Sequence, residues 1–374
     1  MSEWKTVRLG DVCELIMGTS PEGNTISDNP SNGIEFHQGK TFFGKVFLNE
    51  SKIYTSAPSK FANAGNVIMS VRAPVGDSNI TQRRIAIGRG LCTFNLKDDF
   101  EKFYLFYFLN SKIEYLQSKS TGSTFKAVNK DAISDLQIPL PPLEEQKHIA
   151  AVLDKCTALI AKHKLMLERY DTLIKSRFIE MFDSCEKEVL IGNTINISRG
   201  ASPRPISDYI TKDNNGINWI KIGDVSENSL YITNTEEKIT PEGASKSRLV
   251  HKGDFILSNS MSFGRPYILR IDGCVHDGWL IMSNFKQTFD ELYLYYAIRD
   301  NYVQNQFKSK VNGATVKNLN SDLVKSTYVK LPSLIKQKEF SSFVQQIDKS
   351  KFAVQESLEK AETLYESLMQ ESFG

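Results

Sequence analysis

The stretch "IPLPPLEEQKHIAAVLDK", from Ile138 to Lys155, lies near the middle of the 374-residue chain and predicts the start of a helix. Pro142 suits a first helical turn, because proline has no backbone N–H there to leave unpaired. Glu144 and Glu145 place negative charge where the helix dipole is positive. A weaker copy, "VKLPSLIKQKEFSSFVQQ", returns from Val329 to Gln346. A helix start that occurs twice indicates a chain built as a repeat.

The rest of the chain repeats in the same order. The matched pairs include Val7 with Val189, Gly18 with Gly200, Ser20 with Ser202, Pro141 with Pro332 and Gln146 with Gln337. The shift between the copies grows only from 182 residues (Val7 to Val189) to 191 (Pro141 to Pro332), so the elements keep their order while loops vary in length. The matches fall at glycines, apolar positions and helix starts, and most polar positions differ. This pattern predicts one scaffold with two different surfaces.

Each copy begins with a strand-rich globular region. Short apolar runs bounded by Gly, Asn, Asp and Pro predict strands at Asn66–Val71, Ile85–Ile87, Leu91–Leu96, Asp254–Ser258, Ile268–Ile271 and Trp279–Ser283. Two aromatic-rich segments, which begin at Lys102 and Glu291, each predict one amphipathic helix packed on that sheet.

A long helix follows each globular region. Apolar residues recur every seven positions at Leu153, Ile160, Leu167, Ile174 and Met181, and again at Phe340, Ile347, Val354, Ala361 and Leu368. A second stripe runs beside the first at Val152, Leu159, Met166 and Leu173. About 38 helical residues span about 57 Å, and the seven-residue period predicts that the two helices pair as a coiled coil. Because the helices are equivalent parts of a repeat, an antiparallel pair would relate the two copies by a pseudo-two-fold axis, and we predict that orientation.

The predicted fold class is therefore α+β, with two tandem globular domains that are each followed by a long helix. The predicted boundaries are residues 1–140 for the first globular domain, 141–183 for the central helix, 184–330 for the second globular domain and 331–374 for the C-terminal helix.

Composition leaves the class of ligand open. A formal charge of +2 and a pI near 8.1 neither favour nor exclude nucleic acid, so any basic surface must be local. The five cysteines are scattered, which is typical of reduced cytosolic thiols rather than of a disulfide frame or a zinc site. The chain begins without an apolar signal segment and has no run that predicts a membrane span, so we expect a cytoplasmic protein.

The sequence contains none of the motifs that we searched for as signs of catalysis. A phosphate-binding G-x-x-x-x-G-K-[ST] or G-x-G-x-x-G loop and an H-E-x-x-H pair are all missing. His276 and Asp277 form the one suggestive pair, but the first copy has Arg89 and Gly90 there, which favours a turn before a strand. We therefore predict a binding protein rather than an enzyme.

The whole chain resembles the specificity (S) subunit of type I restriction-modification enzymes. The resemblance rests on the tandem repeat, on "PLPPLEEQKHIAAVLDK", and on "WKTVRLGDVCELIMGTSP", "GNVIMSVRAPVG" and "GSTFKAVN". It implies that each globular region is a target recognition domain that reads one half of an asymmetric, bipartite double-stranded DNA target. The paired helices would set the spacing between the halves.

The resemblance also implies partners and the location of cofactors. The helices would dock two methyltransferase (M) subunits, and restriction (R) subunits would join that core. S-adenosylmethionine, ATP and magnesium would belong to those partners, and this chain would hold no cofactor or metal. The second helix start departs from the family pattern, because Ser333 and Lys336 replace Pro142 and Glu145. Ser333 can still cap the helix, whereas Lys336 opposes its dipole.

Candidate DNA contacts are polar residues that stand in corresponding loops of the two copies. Phosphates attract Lys, Arg and hydroxyl groups, and base edges attract Arg, Lys, Asn and Gln. The first copy contributes Ser20, Gln38, Lys40, Arg72, Ser123, Thr124 and Lys126, and the second contributes Arg199, Ser202, Arg204, Lys221, Asn259, Ser260, Arg265, Thr315 and Lys317. The basic run with Arg83, Arg84 and Arg89 is predicted to be a solvated edge.

Two other classes of protein remain open at this point. A coiled-coil adaptor could present two heads that bind protein or sugar, although the basic and amide residues of the loops count slightly against it. A nuclease or methyltransferase with its own recognition domain would need a cofactor loop that the sequence lacks. Co-purification with a methyltransferase subunit would separate the first reading from the adaptor.

Overall fold

The computed structural model describes residues 4–120, 127–225, 229–259, 263–312 and 318–374. The chain forms two compact units. Unit 1 comprises Met1–Leu165 and Gln355–Gly374, and unit 2 comprises Met166–Val354. Each unit therefore holds one globular head and parts of both long helices. No described helix is long and apolar enough to cross a membrane.

The head of unit 1 is built from three sheets and four short helices. Its strands are β1 (Thr6–Arg8), β2 (Cys13–Met17), β3 (Ile26–Ser27), β4 (Ile34–His37), β5 (Tyr54–Thr55), β6 (Phe61–Ala62), β7 (Val67–Ser70), β8 (Ser78–Ile80), β9 (Ile85–Ile87), β10 (Leu91–Leu96) and β11 (Gln137–Pro139). Its helices are α1 (Leu9–Val12), α2 (Lys102–Ser111), α3 (Ile113–Lys119) and α4 (Lys130–Ser134), and α5 (Leu143–Phe182) is the long helix. The sheets have strand orders β1-β11, β2-β10-β7-β8 and β3-β5-β4-β9-β6.

The head of unit 2 repeats this plan. Its strands are β12 (Glu188–Leu190), β13 (Asn196–Arg199), β14 (Ile210–Thr211), β15 (Ile217–Ile220), β16 (Tyr231–Ile232), β17 (Glu237–Ile239), β18 (Arg248–Val250), β19 (Phe255–Ser258), β20 (Pro266–Leu269), β21 (Gly273–Val275), β22 (Trp279–Ser283) and β23 (Tyr328–Lys330). Its helices are α6 (Pro241–Ser245), α7 (Glu291–Arg299), α8 (Asn301–Asn312) and α9 (Ser321–Lys325), and α10 (Leu334–Phe373) is the second long helix. The sheets are β12-β23, β13-β22-β19-β20-β16 and β14-β17-β15-β21-β18.

The sheet topology confirms the internal repeat. Each head has a mixed sheet in corresponding positions, with β4 parallel to β9 in unit 1 and β15 parallel to β21 in unit 2. In unit 2 the second five-stranded sheet is mixed as well, because β16 is parallel to β20. Strands β7 and β19 are buried along their whole length, which explains why their sequences read as continuous apolar runs. The predicted strands thus match the structure closely.

The prediction that one continuous helix packs on each sheet is wrong. Each predicted helix is two helices, because the first ends before Lys112 in unit 1 and before Asp300 in unit 2. The Asp300 carboxylate accepts a hydrogen bond from the backbone N–H of Tyr302 at 2.9 Å, which favours a new helix start at that point. Six consecutive residues of α2, Tyr104 to Leu109, are buried, so this helix packs on more than one face.

The two long helices run antiparallel within each unit, as the sequence predicts. In unit 1, Leu153 near the start of α5 shares a core with Phe373 at the end of α10, and Lys164 further along pairs with Glu362 at 2.8 Å. In unit 2, Lys351 pairs with Asp171 at 2.6 Å, and Arg177 lies 3.6 Å from Glu339.

The second apolar stripe predicted on α5 is only partly buried. Leu159 and Leu173 are exposed, whereas Cys156 and Phe178 contribute to the buried side. Val152 and Met166 of this stripe are half-buried, so the prediction of a second apolar stripe holds only for these two residues.

A buried glutamine fixes each long helix to its own head. The Gln146 carbonyl oxygen accepts from the Glu101 N–H at 2.9 Å, and its amide donates to the Pro141 carbonyl oxygen at 2.9 Å. Gln337 repeats both contacts with Asp290 at 2.8 Å and Pro332 at 2.9 Å. Both side chains are fully buried. The repeated Gln of the two helix starts is therefore a clamp between helix and head.

Candidate nucleic-acid interface

In unit 1, the loop after β2 packs against the turn between β9 and β10, which comprises Gly88, Arg89 and Gly90. The Gly18 N–H donates to the Leu91 carbonyl oxygen at 2.9 Å, and the Thr19 N–H donates to the Ile87 carbonyl oxygen at 3.1 Å. A Cβ atom on Gly18 would lie 2.2 Å from the Gly88 carbonyl oxygen. Only glycine permits the two backbones to approach this closely.

The same frame recurs in unit 2 around the turn of His276, Asp277 and Gly278. The Gly200 N–H donates to the Trp279 carbonyl oxygen at 2.9 Å, and the Ala201 N–H donates to the Val275 carbonyl oxygen at 3.2 Å. A Cβ atom on Gly200 would lie 2.1 Å from the His276 carbonyl oxygen. These matched hydrogen bonds make Arg89 and Asp277 equivalent positions of the two heads. The sequence comparison, which set Arg89 and Gly90 against His276 and Asp277, is therefore wrong by one residue at this turn.

Three polar side chains meet at this frame in unit 1. The Ser20 hydroxyl lies 3.0 Å from the Gln38 carbonyl oxygen and 2.8 Å from the Gln38 amide nitrogen. The Arg89 Nε donates to the same hydroxyl at 3.3 Å. The structure thus joins two predicted site residues, Ser20 and Gln38, with Arg89, which the sequence had assigned to a solvated edge. Arg89 is exposed.

In unit 2, several of the predicted site residues contact Asp277. The Ser202 hydroxyl donates to its carboxylate at 2.8 Å, and Arg204 lies 3.4 Å away. The Asp277 backbone carbonyl oxygen accepts from Arg199 Nε at 3.0 Å and from the Asn259 amide at 2.9 Å. The hydrogen bond from Ser202, with the nearby His276 and Arg199, holds the pKa of Asp277 below its ordinary value. The sequence predicted the turn correctly but gave Asp277 no part in the site.

Other predicted contacts lie apart from these clusters or already have partners. Lys40 forms an ion pair with Asp77. Lys221 pairs with Glu237 at 2.9 Å, so its charge is balanced within the protein. Arg72 is exposed, and Arg265 is half-buried with its backbone N–H bonded to Ser258 at 3.1 Å. Ser123, Thr124, Lys126, Ser260, Thr315 and Lys317 lie outside the described residues.

Glu35 anchors β4, the strand that leads to Gln38. Its carboxylate accepts from the Ser51 N–H at 2.6 Å, from His37 at 2.8 Å and from Arg83 at 2.6 Å. Burial alone would raise the pKa of Glu35, but the hydrogen bonds from Arg83, Ser51 and His37 outweigh it and lower the pKa from 4.5 to about 2. Arg83 is therefore a partly buried structural group, and its prediction as a solvated edge was wrong.

The depressed pKa of Glu35 predicts a specific loss of stability in acid. A carboxyl group with a lowered folded-state pKa stabilises the fold above its unfolded pKa, near 4.5, and this contribution disappears as the pH falls toward 2. We expect Glu35→Gln to destabilise the protein by about 1–3 kcal/mol at pH 7. The variant should also lose less stability than wild type between pH 4.5 and 2. Urea unfolding followed by far-UV circular dichroism across this pH range measures both effects.

The exposed Glu22 of the same unit provides the matched control. Glu22→Gln should leave both the stability at pH 7 and its acid dependence unchanged. An acid-induced loss that is equally large in Glu35→Gln and wild type would contradict the assigned role of Glu35.

Two unlike heads on one repeated scaffold, each with a glycine-packed turn that carries polar side chains, define a class of two-headed recognition proteins. The family model for the type I restriction modification DNA specificity domain matches residues 1–169 and 187–362. The chain belongs to this family. The resemblance predicted from the sequence is thereby confirmed.

Several curated relatives are similar over part of their length. A putative type I restriction enzyme MjaX specificity subunit of Methanocaldococcus jannaschii is 39% identical over 176 residues, which are 45% of this chain and 40% of the relative. The EcoBI specificity subunit of Escherichia coli is 24% identical over 326 residues, 76% of this chain and 67% of the relative. The chain thus spans less than half of the MjaX relative.

Two solved structures share the fold. The type I restriction-modification S subunit from M. genitalium has a TM-score of 0.63 at 17% identity, with 99% of this chain and 96% of that chain covered. A chain from a structure of type I R-M complex assembly and conformational transition has a TM-score of 0.64 at 18% identity, with 100% and 98% covered. The predicted fold of two heads and two long helices is confirmed.

Proposed function

We propose that this chain is the DNA specificity subunit of a type I restriction-modification complex, in which each head reads one half of an asymmetric, bipartite target. The observation that carries the proposal is the shared frame of the two heads. The same glycines and backbone hydrogen bonds recur in both, while the equivalent position is Arg89 in one and Asp277 in the other. A constant scaffold with different polar groups suits two readers of different sequences.

The same proposal assigns the long helices to spacing and docking. Helices of 40 residues are each about 60 Å long, which is ample to relate two half-sites on a duplex with about 34 Å per turn. Large apolar side chains remain exposed along them, at Leu159, Leu165, Leu173 and Ile179 on α5 and at Leu334, Ile335, Phe352 and Leu364 on α10. We propose that two methyltransferase subunits dock on these helices and are joined by restriction subunits.

In this proposal the chain itself is not an enzyme. S-adenosylmethionine, ATP and magnesium bind to the partner subunits, and the chain contributes only sequence recognition. The complex works in the cytoplasm, which suits five unpaired cysteines, four of them buried.

Exchange of one head tests the proposal. Residues 1–140 are replaced by the corresponding head of a relative with a different known target, and the chimera is co-expressed with its methyltransferase subunit. Sequencing that detects methylated bases then maps the target in host DNA. We expect one half of the target to change, while the other half and the spacing remain, because each head reads independently.

The reciprocal exchange of residues 184–330 is the control and should change only the other half. If both halves changed together in either chimera, or if neither changed, the two-reader model would be wrong. Two of the backbone groups that contact Gln146, those of Asp99 and Glu101, lie inside the exchanged segment, and the third, that of Pro141, lies just after it. The incoming head must therefore have an equivalent turn at positions 99–101.

A further inference from the structure

The turn between β9 and β10 presents one side chain on a rigid base. A Cβ atom on Gly88 would lie 2.6 Å from the side-chain oxygen of Gln38. A Cβ atom on Gly90 would lie 2.3 Å from the backbone oxygen of Gln38. The turn is therefore pressed against Gln38 on both sides of Arg89. Within this turn only Arg89 has a side chain, and it is exposed. A well-supported turn lowers the entropy lost when Arg89 binds a ligand.

Arg89 differs from the nearby Arg83 and Lys40 in that its side chain has no ion-pair partner among the described residues. Arg83 pairs with Glu35, and Lys40 pairs with Asp77. Among the described residues, Arg89 forms no ion pair, and its hydrogen bonds to Ser20 come from Nε and the backbone N–H. Its two terminal nitrogens thus point to no acceptor within the described parts of the chain. Two parallel N–H groups on a planar fork match the O6 and N7 acceptors of guanine in the major groove.

Gln38 has a different position in this cluster. Both ends of its amide lie within hydrogen-bond distance of the Ser20 hydroxyl, at 3.0 and 2.8 Å. That hydroxyl in turn accepts from Arg89. Gln38 and Ser20 therefore orient the arginine, and they act as positioning residues rather than as the group that meets the base.

The equivalent turn in unit 2 has no arginine of its own, and its Asp277 contacts two arginines from the loop after β13 and the end of that strand. The Asp277 backbone oxygen accepts from Arg199 at 3.0 Å, and its carboxylate lies 3.4 Å from Arg204. Arg204 is 82% exposed. The residue at this position therefore has a different role in each head. In unit 1 it is Arg89, which supplies a guanidinium group, and in unit 2 it is Asp277, which binds two of them.

We propose that Arg89 reads a guanine in the first half of the target, and that Asp277, at the same position of the second head, positions Arg199 and Arg204 to read the second half. This inference rests on the proposed function and names the residues that determine specificity in it. It gives Arg89 and Asp277 roles that the sequence-based predictions of a solvated edge and a turn did not include.

The test uses the full chain co-expressed with its methyltransferase subunit, with methylated sites mapped in host DNA. Arg89→Gln should relax one guanine of the first half and leave the second half unchanged. Loss of a bidentate arginine–guanine pair corresponds to about a 5- to 150-fold loss of discrimination at that base. Arg89→Lys should relax the same base, because lysine keeps the charge but lacks the planar fork. Asp277→Asn removes the carboxylate beside Arg204 but keeps the backbone oxygen that holds Arg199, so it should relax the second half only at the base that Arg204 reads. Its far-UV circular dichroism should show a folded chain, and the first half should be unchanged.

Arg84→Gln is the matched control. Arg84 is an exposed arginine of the same head that lies over the Phe61 ring, 4.2 Å from its centroid, and its loss should change neither half of the target. Because Arg89 and Arg84 are both exposed, each variant should unfold within about 0.5 kcal/mol of wild type.

Three results would overturn the inference. One is an unchanged first half in Arg89→Gln. Another is full discrimination in Arg89→Lys, since a point charge would then serve in place of the planar fork. The third is equal weakening of Arg89→Gln on all sequences, since that would make Arg89 a phosphate contact. If wild type itself directed no methylation to a bipartite site, the proposed function would fail instead. The two failures are therefore distinguishable.

Discussion

Replacing Phe340 by alanine is expected to lower the free energy of unfolding of unit 2 by about 3–5 kcal/mol. The Phe340 side chain on α10 is fully buried. Its ring lies 5.3 Å from that of Phe178 and 5.6 Å from that of Phe182, both on α5, and 5.4 Å from that of Tyr296 on α7. One ring therefore joins both long helices to the head. Its removal leaves a cavity that three separate elements cannot easily close.

Tryptophan fluorescence in a urea titration measures this effect. Two of the three tryptophans, Trp219 and Trp279, are buried in unit 2, so their emission reports the unfolding of that unit. Phe352→Ala is the control, because Phe352 lies on the same helix but is 67% exposed. We expect a change within about 0.5 kcal/mol for it. Equal shifts in the two variants would show that burial of Phe340 does not stabilise unit 2.

Gln337→Ala is expected to destabilise unit 2 by about 2–4 kcal/mol. The side chain accepts from the Asp290 N–H at 2.8 Å and donates to the Thr288 and Pro332 carbonyl oxygens at 3.2 and 2.9 Å. Truncation leaves one buried and two partly buried backbone groups without this partner, and a fully buried unpaired group costs about 1–3 kcal/mol. Water that enters the space would recover part of the loss. The same fluorescence titration measures the shift.

Gln337→Glu separates hydrogen bonding from volume. Glutamate keeps the size of the side chain but replaces an amide donor with an acceptor that faces two carbonyl oxygens. We expect it to destabilise unit 2 at pH 7 at least as much as alanine. Gln345→Ala on the exposed side of α10 is the control and should have little effect. A stable Gln337→Glu variant would mean that packing, and not the hydrogen bonds, holds the helix to the head.

The two Gln variants and the head exchange concern the same junction. Because Gln146 and Gln337 contact backbone groups of the heads, each clamp tolerates different head sequences as long as the local turn is kept. This explains physically how one helix start can serve two heads with unlike surfaces. It also explains why the glutamine matches between the two copies while the neighbouring Glu145 and Lys336 do not.

The candidate site was only partly predictable. Ser20, Gln38, Arg199, Ser202, Arg204 and Asn259 were selected from matched loops, and the structure places them beside the two turns. Arg89 and Asp277, which we propose as further members of the site, were not predicted because the sequence comparison set Arg89 against His276 and Gly90 against Asp277, one residue out of register. The sequence did contain one signal of a tightly packed turn at each place. It is the pair of glycines beside Arg89, Gly88 and Gly90, and the glycine that packs on the turn of Asp277, Gly200.

The sequence by itself determined the repeat, the two long helices and the positions of six strands. These follow from local rules, since apolar period, glycine and proline positions and helix caps act over a few residues. Only the tertiary structure decided which polar groups meet. Glu35 with Arg83, Gln337 with Asp290 and Asp277 with Ser202 are separated by 48, 47 and 75 positions. Such partners are selected by packing and by the need to pair buried polar groups, and no local pattern encodes that choice.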